Sequence, residues 1–582
     1  MASPRCDAST HKGDVVGDSG QTRNVFIVLA RAGATVTATR VDAEGAQLAQ
    51  HAVADLPRFV AENEPEHPRW VWHDTADWYP ELLRSRIRVQ RCFDLRLCHT
   101  ILRNSALSSA SELAQSPEGP WDGLESGSPA PVEGRLLSAH STLFDFDQPH
   151  GETTEDPLDA FREFERQRIA LAGSTDPARL SRLLAAESVG ALIAAEMRCA
   201  GLPWSATAHN QILSTMLGAR PALEGERPSK LQHLAERIRT LLDAPQLNPD
   251  SPHELLRALN VAGIQTRSTR AWELKKLTHP VIEPLLEYKK MSRLLSANGW
   301  NWLDSWVVDG RFRPDYVPGG VVTGRWATSG GGALQLPHLI RGAVVADPGW
   351  KLVVADASQL EPRILAAMSA DRGMVEAGAS GDLYEGVVAS GAVETREQAK
   401  LAMLGAMYGA TTGESGRLMP KLARAYPRAI QLVEDAARAG ERGEVVSTQL
   451  GRSSPRGVDT GTYDDSLTAA QRAAARERGR SWGRFTRNFV VQGTAAEWAL
   501  CWMASIRNRL NLLSDNAWLT DSPHLVFFLH DEVVVHAPAE LADAVAEQVI
   551  QAANDAGRLV FGAVPVTFPL TTAVVDSYDQ AK

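Results

Sequence analysis

The sequence predicts a multidomain chain of mixed class, α+β with a small α/β unit in front, and three stretches predict it. Lys351 to Arg363, KLVVADASQLEPR, carries an apolar run from Leu352 to Ala355 that stops at Asp356. Such a run bounded by turn signals reads as a buried strand. HLVFFLHDEVVVHAP carries two apolar runs, Leu525 to Leu529 and Val533 to Val535, around His530, Asp531 and Glu532. That is the pattern of a hairpin with acids at its tip. Between them, TREQAKLAMLGAMYG sets Arg396, Lys400, Leu404 and Tyr408 four apart and ends in Gly409. At ~3.6 residues per turn this spacing predicts one slowly drifting stripe on a helix.

Each stretch carries chemistry. A carboxylate ending a buried strand is costly unless something compensates it, and a metal ion is one such partner. If the hairpin and the first strand share a sheet, Asp356 and Asp531 face each other. Two carboxylates can then hold a pair of Mg²⁺ ions for in-line phosphoryl transfer. Arg396 and Lys400, one turn apart, offer two cations to a triphosphate. Leu404 and Tyr408 continue the stripe as a flat surface for a base and sugar. Taken singly, a strand-end Asp is as readily structural, and a helical Arg/Lys pair is usually a solvated face. The order of all three is what is specific.

In that order they resemble DNA polymerase family A, the group of bacterial DNA polymerase I. Asp356-Ala357-Ser358-Gln359-Leu360-Glu361-Pro362-Arg363 is similar to the first palm motif, Arg396, Lys400, Tyr408 and Gly409 to the fingers helix, and His530-Asp531-Glu532 to the second palm motif. The resemblance covers roughly residues 190 to 582. It implies a right-hand polymerase of palm, fingers and thumb, behind a small RNase H-like, exonuclease-type α/β domain. It implies template-directed addition of deoxynucleoside triphosphates to a primer–template DNA, in replication or repair. Asp356 and Asp531 would bind two Mg²⁺, with Mn²⁺ able to substitute, Glu532 would support them and His530 would orient the primer end. Lys400 and Arg396 would clamp the phosphates, with Leu404, Tyr408, Gln359 and Glu361 around the nucleotide and Glu361 excluding ribose. Thr323-Gly324-Arg325 with Gln335, and Arg484, Asn488 and Gln492 at spacing four, resemble the segments that touch DNA. Three positions depart from the pattern: Leu404 replaces an aromatic residue, Ala357 a Tyr, and Pro362 a Leu. A single-subunit RNA polymerase and an inactive DNA-binding scaffold are the alternatives. Glu361 and Glu532 favour DNA synthesis over the first, and the intact Asp356, Asp531, Lys400 and Arg396 speak against the second.

Composition agrees with a globular chain. The 582 residues suffice for two or more cores, and 44 % are hydrophobic and 22 % charged. No apolar run is long enough for a membrane, and the first residues hold no signal core. The five cysteines, Cys6, Cys92, Cys98, Cys199 and Cys501, show no zinc spacing and suit a reducing compartment. A cytoplasmic, bacterial-type, nucleoid-associated monomer is expected. A net charge of −10 leaves room only for a local basic cleft.

Taken in order, residues 1–23 read as a disordered tail. Residues 24–150 read as a degenerate 3′–5′ exonuclease-like domain: strands in NVFIVLA and TVTATRV, a strand at Trp70 to His73, a helix at Asp77 to Ser85, then strand and helix from Arg91 to Leu107. Its opening strand lacks the family's acids. Asp42-Ala43-Glu44 sits at a turn, and Asp94 is not expected to bind metal, so nuclease activity is doubted. No 5′ nuclease domain is expected. Ser108 to Asp156 reads as linker, and 151–190 as a connecting segment. Residues 191–345 are expected to form the thumb and the start of the palm, with an amphipathic helix from Ala186 to Leu202 leading into them. A Gly330-Gly331-Gly332 run is expected to loosen one loop. Residues 346–582 are expected to form palm and fingers, the fingers at about 371–480.

Overall fold

The computed structural model describes residues 25–33, 35–124, 158–223, 225–379, 381–409, 413–457 and 468–581. The expected tail, and the linker beyond residue 124, lie outside the described residues. Within the linker's described part, a short helix spans Glu112–Gln115.

The N-terminal lobe is built on a five-stranded sheet. Its strands are β1 (Phe26–Ala32), β2 (Thr35–Val41), β3 (Gln47–Val53), β4 (Arg69–Trp72) and β5 (Cys92–Asp94), in the order β3-β2-β1-β4-β5. β1, β2 and β3 run antiparallel in sequence, and β4 and β5 run parallel to β1. The parallel half is covered by helices, as parallel strands require. Trp70, Trp72 and Tyr79 are fully buried there, and Leu192 of the helix Pro177–Ala200 enters the same core.

That helix differs from the amphipathic one expected at Ala186 to Leu202. It starts at Pro177, capped by the Asp176 side chain on the Arg179 N–H, and its buried residues lie on nearly every side. A helix apolar all round is an interior one. It is the shared wall between the N-terminal lobe and the rest of the chain.

The second sheet has four antiparallel strands: β6 (Trp350–Ala357), β7 (His524–Leu529), β8 (Glu532–Pro538) and β9 (Leu570–Val575), ordered β7-β8-β6-β9. β7 and β8 form the expected hairpin, and β8 pairs directly with β6. Continuous apolar runs in β6, β7 and β8 follow from burial on both faces. Against the sheet and around it lie Leu360–Ser369, Ala542–Phe561 and the 45-residue helix Ala469–Leu513, whose Thr468 and Gln471 form a capping box. Arg396–Tyr408, Gly413–Ala425 and Pro427–Glu441 extend the helical side.

The glycine run behaves differently from expectation. Gly330 ends a strand, Ala327–Gly330, and a Cβ there would lie 2.3 Å from the Trp306 ring. At Gly331 a Cβ would meet Trp306 at 2.7 Å and Phe312 at 2.9 Å. These two glycines admit a close aromatic contact; they fix the segment rather than loosen it. Leu336 is buried in the core.

Candidate active site

Sheet pairing brings the two aspartates together. Asp356 lies opposite Glu532 in the β6–β8 register, and Ala357 N–H donates to the Asp531 carbonyl at 2.9 Å. The hairpin tip is tight: Asp531 N–H donates to Leu529 C=O at 2.8 Å, and His530 takes a left-handed φ of 60°. Asp356 and Asp531 are both half-buried.

Glu532 turns inward. It is buried, accepts from Arg341 at 3.2 Å and from the Tyr578 hydroxyl, and Arg341 stacks over the Tyr578 ring at 4.2 Å. This buried set anchors the hairpin to the chain's last turn, Tyr578–Ala581. Neither Arg341 nor Tyr578 carried a signal in the sequence, because both act from far along the chain.

A second cluster sits beside the acids. Tyr408 Oη donates to Glu361 Oε2 at 2.7 Å, and Arg325 pairs with Glu361 Oε1. Partial burial and then the Glu361 charge push the Tyr408 hydroxyl up to about 12, while Gln492, on the long helix beside it, acts in the opposite direction. Burial and the nearby Arg325 guanidinium lower the His530 ring pKa. Five residues singled out in the sequence, Arg325, Glu361, Tyr408, Gln492 and His530, thus converge on one spot.

The phosphate candidates are arranged by caps. Gln359, at a left-handed φ of 57°, accepts Leu383 N–H at 2.7 Å on its side-chain oxygen. Asp382 caps the same helix, Leu383–Ala389, and pairs with Arg396 at 2.9 Å. Arg396 also lies over the Tyr384 ring at 5.5 Å. Lys400 stands exposed one turn on, and Leu404 is half-buried against the core. Gly409, at φ 75°, ends this helix against Arg484, where a Cβ would lie 3.0 Å from Cγ. Arg487 fastens the two helices, donating to Ala406 C=O at 2.9 Å. Asn488 Oδ1 is buried without a hydrogen bond. Gln335 is exposed on the turn Ala333–Gln335, with no hydrogen bond to this cluster.

The donor set fits Mg²⁺. Among the described residues no group of three His, Cys, Asp or Glu side chains forms a metal cage. Mg²⁺ at phosphoryl-transfer sites takes one or two carboxylates and completes its shell with substrate and water, which is what one strand-end and one hairpin-tip aspartate offer. In the N-terminal lobe Asp94 and Asp42 are engaged in local caps. Asp94 is fully buried and accepts from Thr75 N–H at 2.8 Å, Thr75 Oγ1 at 2.7 Å and Leu97 N–H at 3.0 Å; burial and the nearby Asp74 push it up to about 6. Asp42 accepts Ala46 N–H at 2.7 Å within its turn.

A likeness of fold joins the structure to the POL domain of Pol1 from M. smegmatis, solved in complex with DNA primer-template and dNTP. The TM-score is 0.64 at 19 % identity, covering 97 % of this chain and 96 % of that one. DNA polymerase I, thermostable, of Thermus aquaticus is 27 % identical over 342 residues, 53 % of this chain and 37 % of that protein. Its counterpart in Thermus thermophilus is 26 % identical over 396 residues, 61 % of this chain and 44 % of that protein. The chain therefore spans less than half the length of these relatives. The family model described as DNA polymerase family A matches residues 221–575, well over half of the sequence, and the chain belongs to that family.

Proposed function

We propose that this chain is a template-directed DNA polymerase that adds deoxynucleotides to a primer 3′ end and releases pyrophosphate. The observation that carries the reading is the bond from Ala357 N–H to the Asp531 carbonyl, which sets two distant acids at one end of one sheet. Asp356 and Asp531 would hold two Mg²⁺, with Mn²⁺ able to substitute; divalent ions are general in the family. When bound, such ions ease deprotonation of the attacking hydroxyl and offset charge on the leaving group.

The remaining roles belong to side chains. Lys400 and Arg396 bind the β- and γ-phosphates, and the Lys400 ammonium gives a proton to the departing pyrophosphate. Arg396 must first leave Asp382. Its side chain is 42 % exposed, and an exposed, solvent-screened ion pair holds weakly, so a triphosphate displaces the carboxylate readily. Glu361, held by Arg325 and Tyr408, occupies the space beside the sugar and excludes a 2′-hydroxyl. His530 orients the primer end, and Glu532 acts beneath it by fixing the hairpin. Arg325, Gln335, Arg484, Asn488 and Gln492 contact primer and template. Residues 191–345 serve as thumb and start of palm, and 346–582 as palm and fingers. The N-terminal lobe serves as a scaffold, its Asp94 being committed to a helix cap. We place the enzyme as a monomer at a bacterial-type nucleoid, in replication or repair. Among the described residues no helix is long and apolar enough to cross a membrane.

Extension of a primed template by the full chain tests the reading, run beside Asp531→Ala with deoxynucleotides and ribonucleotides in separate arms. Extension with deoxynucleotides alone, lost in the variant, is expected. Equal signals from both proteins would leave a DNA-binding scaffold, and equal use of ribonucleotides an RNA polymerase.

A further inference from the structure

We propose that Arg452 is a positioning residue for Arg325, and that through it the N-terminal lobe sets the geometry of the primer-binding turn. The proposal rests, for its kinetic arm, on the polymerase reading above.

The turn that carries Arg325 is narrow. Gly324 N–H donates to Val321 C=O at 2.7 Å, and Val321 N–H to Arg325 C=O at 3.1 Å. Gly324 has φ 83°, and a Cβ there would lie 2.5 Å from Arg452 Nε. The guanidinium is therefore the wall on which this turn rests. Thr323 gives little other anchorage by its side chain, since its buried Oγ1 has no hydrogen bond.

Arg452 is itself locked. It is buried and pairs with Glu187, which is fully buried on the helix Pro177–Ala200. Its backbone carbonyl accepts Thr448 N–H at 2.9 Å, and Leu450 N–H donates to buried Glu497 at 2.8 Å. The N-terminal lobe grips the same turn: Ser105 Oγ donates to Gly451 C=O at 2.7 Å, and Ala106 N–H to Ser453 Oγ at 2.9 Å. A Cβ on Gly451 would lie 2.7 Å from Leu107. A buried ion pair is poor value as a source of stability and better explained as a device that fixes one arrangement. Here the arrangement fixed runs from Ser105 through Gly451 and Arg452 to Gly324, Arg325, Glu361 and Tyr408.

The test is a double-mutant cycle in the full chain between Arg452→Lys and Arg325→Ala. Lysine keeps the charge opposite Glu187 and loses the planar fork. Arg452→Lys is expected to raise the apparent KM for primer–template about tenfold while the KM for deoxynucleotide stays within about twofold. In the Arg325→Ala background the same change is expected to cost less than about twofold, because the residue it positions is gone. Ser105→Ala, which removes the bond to Gly451 C=O together with the cap on Leu107 N–H at 3.2 Å, is expected to shift KM in the same direction. Hydrogen exchange at the Gly324 amide reads the coupling without substrate, so a chain that extends no primer still answers: faster exchange in Arg452→Lys is expected. An undiminished effect of Arg452→Lys in the Arg325→Ala background, or unchanged exchange at Gly324, overturns the proposal.

Discussion

Tyr408 and Glu361, 47 positions apart, share a hydrogen bond of 2.7 Å, with the phenol as donor and the carboxylate as acceptor. The bond joins the end of the Arg396–Tyr408 helix to the start of Leu360–Ser369. A hydrogen bond to a charged group contributes about 1.5–3 kcal/mol, and tenfold in rate corresponds to about 1.4 kcal/mol.

Tyr408→Phe removes that donor and leaves Glu361 to Arg325 alone. Ribonucleotide exclusion should weaken about tenfold, while deoxynucleotide incorporation falls no more than about threefold. Because the Tyr408 hydroxyl is pushed up to about 12, it keeps its proton at any working pH, and the wild-type preference should be flat between pH 7 and 9. Single-nucleotide incorporation with each sugar reads both outcomes.

Removal of divalent ions by a chelator should abolish extension while leaving primer–template binding within a few fold. Asp356→Asn and Asp531→Asn should each lower incorporation by at least about a thousandfold with the same retained binding. Fluorescence anisotropy on labelled DNA, beside the extension assay, separates the two effects. A variant that loses both would place its aspartate in folding instead.

Stability should fall in mild acid. His209, His524 and His536 are buried, and desolvation pushes them down to about 4, about 4 and about 3, with His524 and Arg311 adding to the effect on His536 and Asp347 opposing it. These rings are neutral in the fold, whereas unfolded histidine protonates near ~6.5. The contribution is complete above that value and is lost as pH drops from ~6.5 toward 4, by up to about 1.4 kcal/mol per pH unit for each ring. Urea unfolding at pH 7, 6 and 5 measures the slope, and His524→Asn should reduce it.

Arg507→Ala should destabilise the chain by about 3–5 kcal/mol, since it strands a buried charge. Arg507 donates to Glu196 at 2.7 Å and to the carbonyls of Val89 and Gln90, while Tyr79 and Arg88 hold the same carboxylate. The two arginines hold Glu196 down at about 2 despite its burial. Its contribution is therefore present above the usual carboxylate range and disappears as pH falls through 2. Chemical denaturation of the two proteins at neutral pH gives the difference.

The residues that carry local periodicity were legible. β6, the β7–β8 hairpin and the Arg396–Tyr408 helix each announce themselves by apolar runs or a four-residue spacing. β3 did not, because Gln47–Val53 is an edge strand with mostly exposed side chains and so has no alternation to read. The helix Leu56–Asn63 carries a readable start in its sequence, Asp55 capping Arg58 N–H at 3.0 Å. At the site, Asp356, Asp531, Glu361 and Tyr408 were found by motif, whereas Arg341, Tyr578, Glu187 and Arg452 were not. Buried polar groups look like surface ones in a sequence, and their partners lie far along the chain, from 46 residues for Tyr578 and Glu532 to 265 for Arg452 and Glu187. The glycine run was misread for a related reason: the Trp306 ring that demands Gly330 and Gly331 is distant in the chain.

The wall formed by Pro177–Ala200 has one more consequence. Leu192 sits in the N-terminal hydrophobic core, while Glu187 and Glu196 on the same rod reach Arg452 and Arg507. Cutting the front lobe away would bare a greasy face and strip Glu196 of its Tyr79 and Arg88 partners at a stroke. A shortened gene product starting near residue 175 should thus clump instead of folding, so the front lobe serves as masonry for the rest of the chain whether or not it ever cleaves a strand.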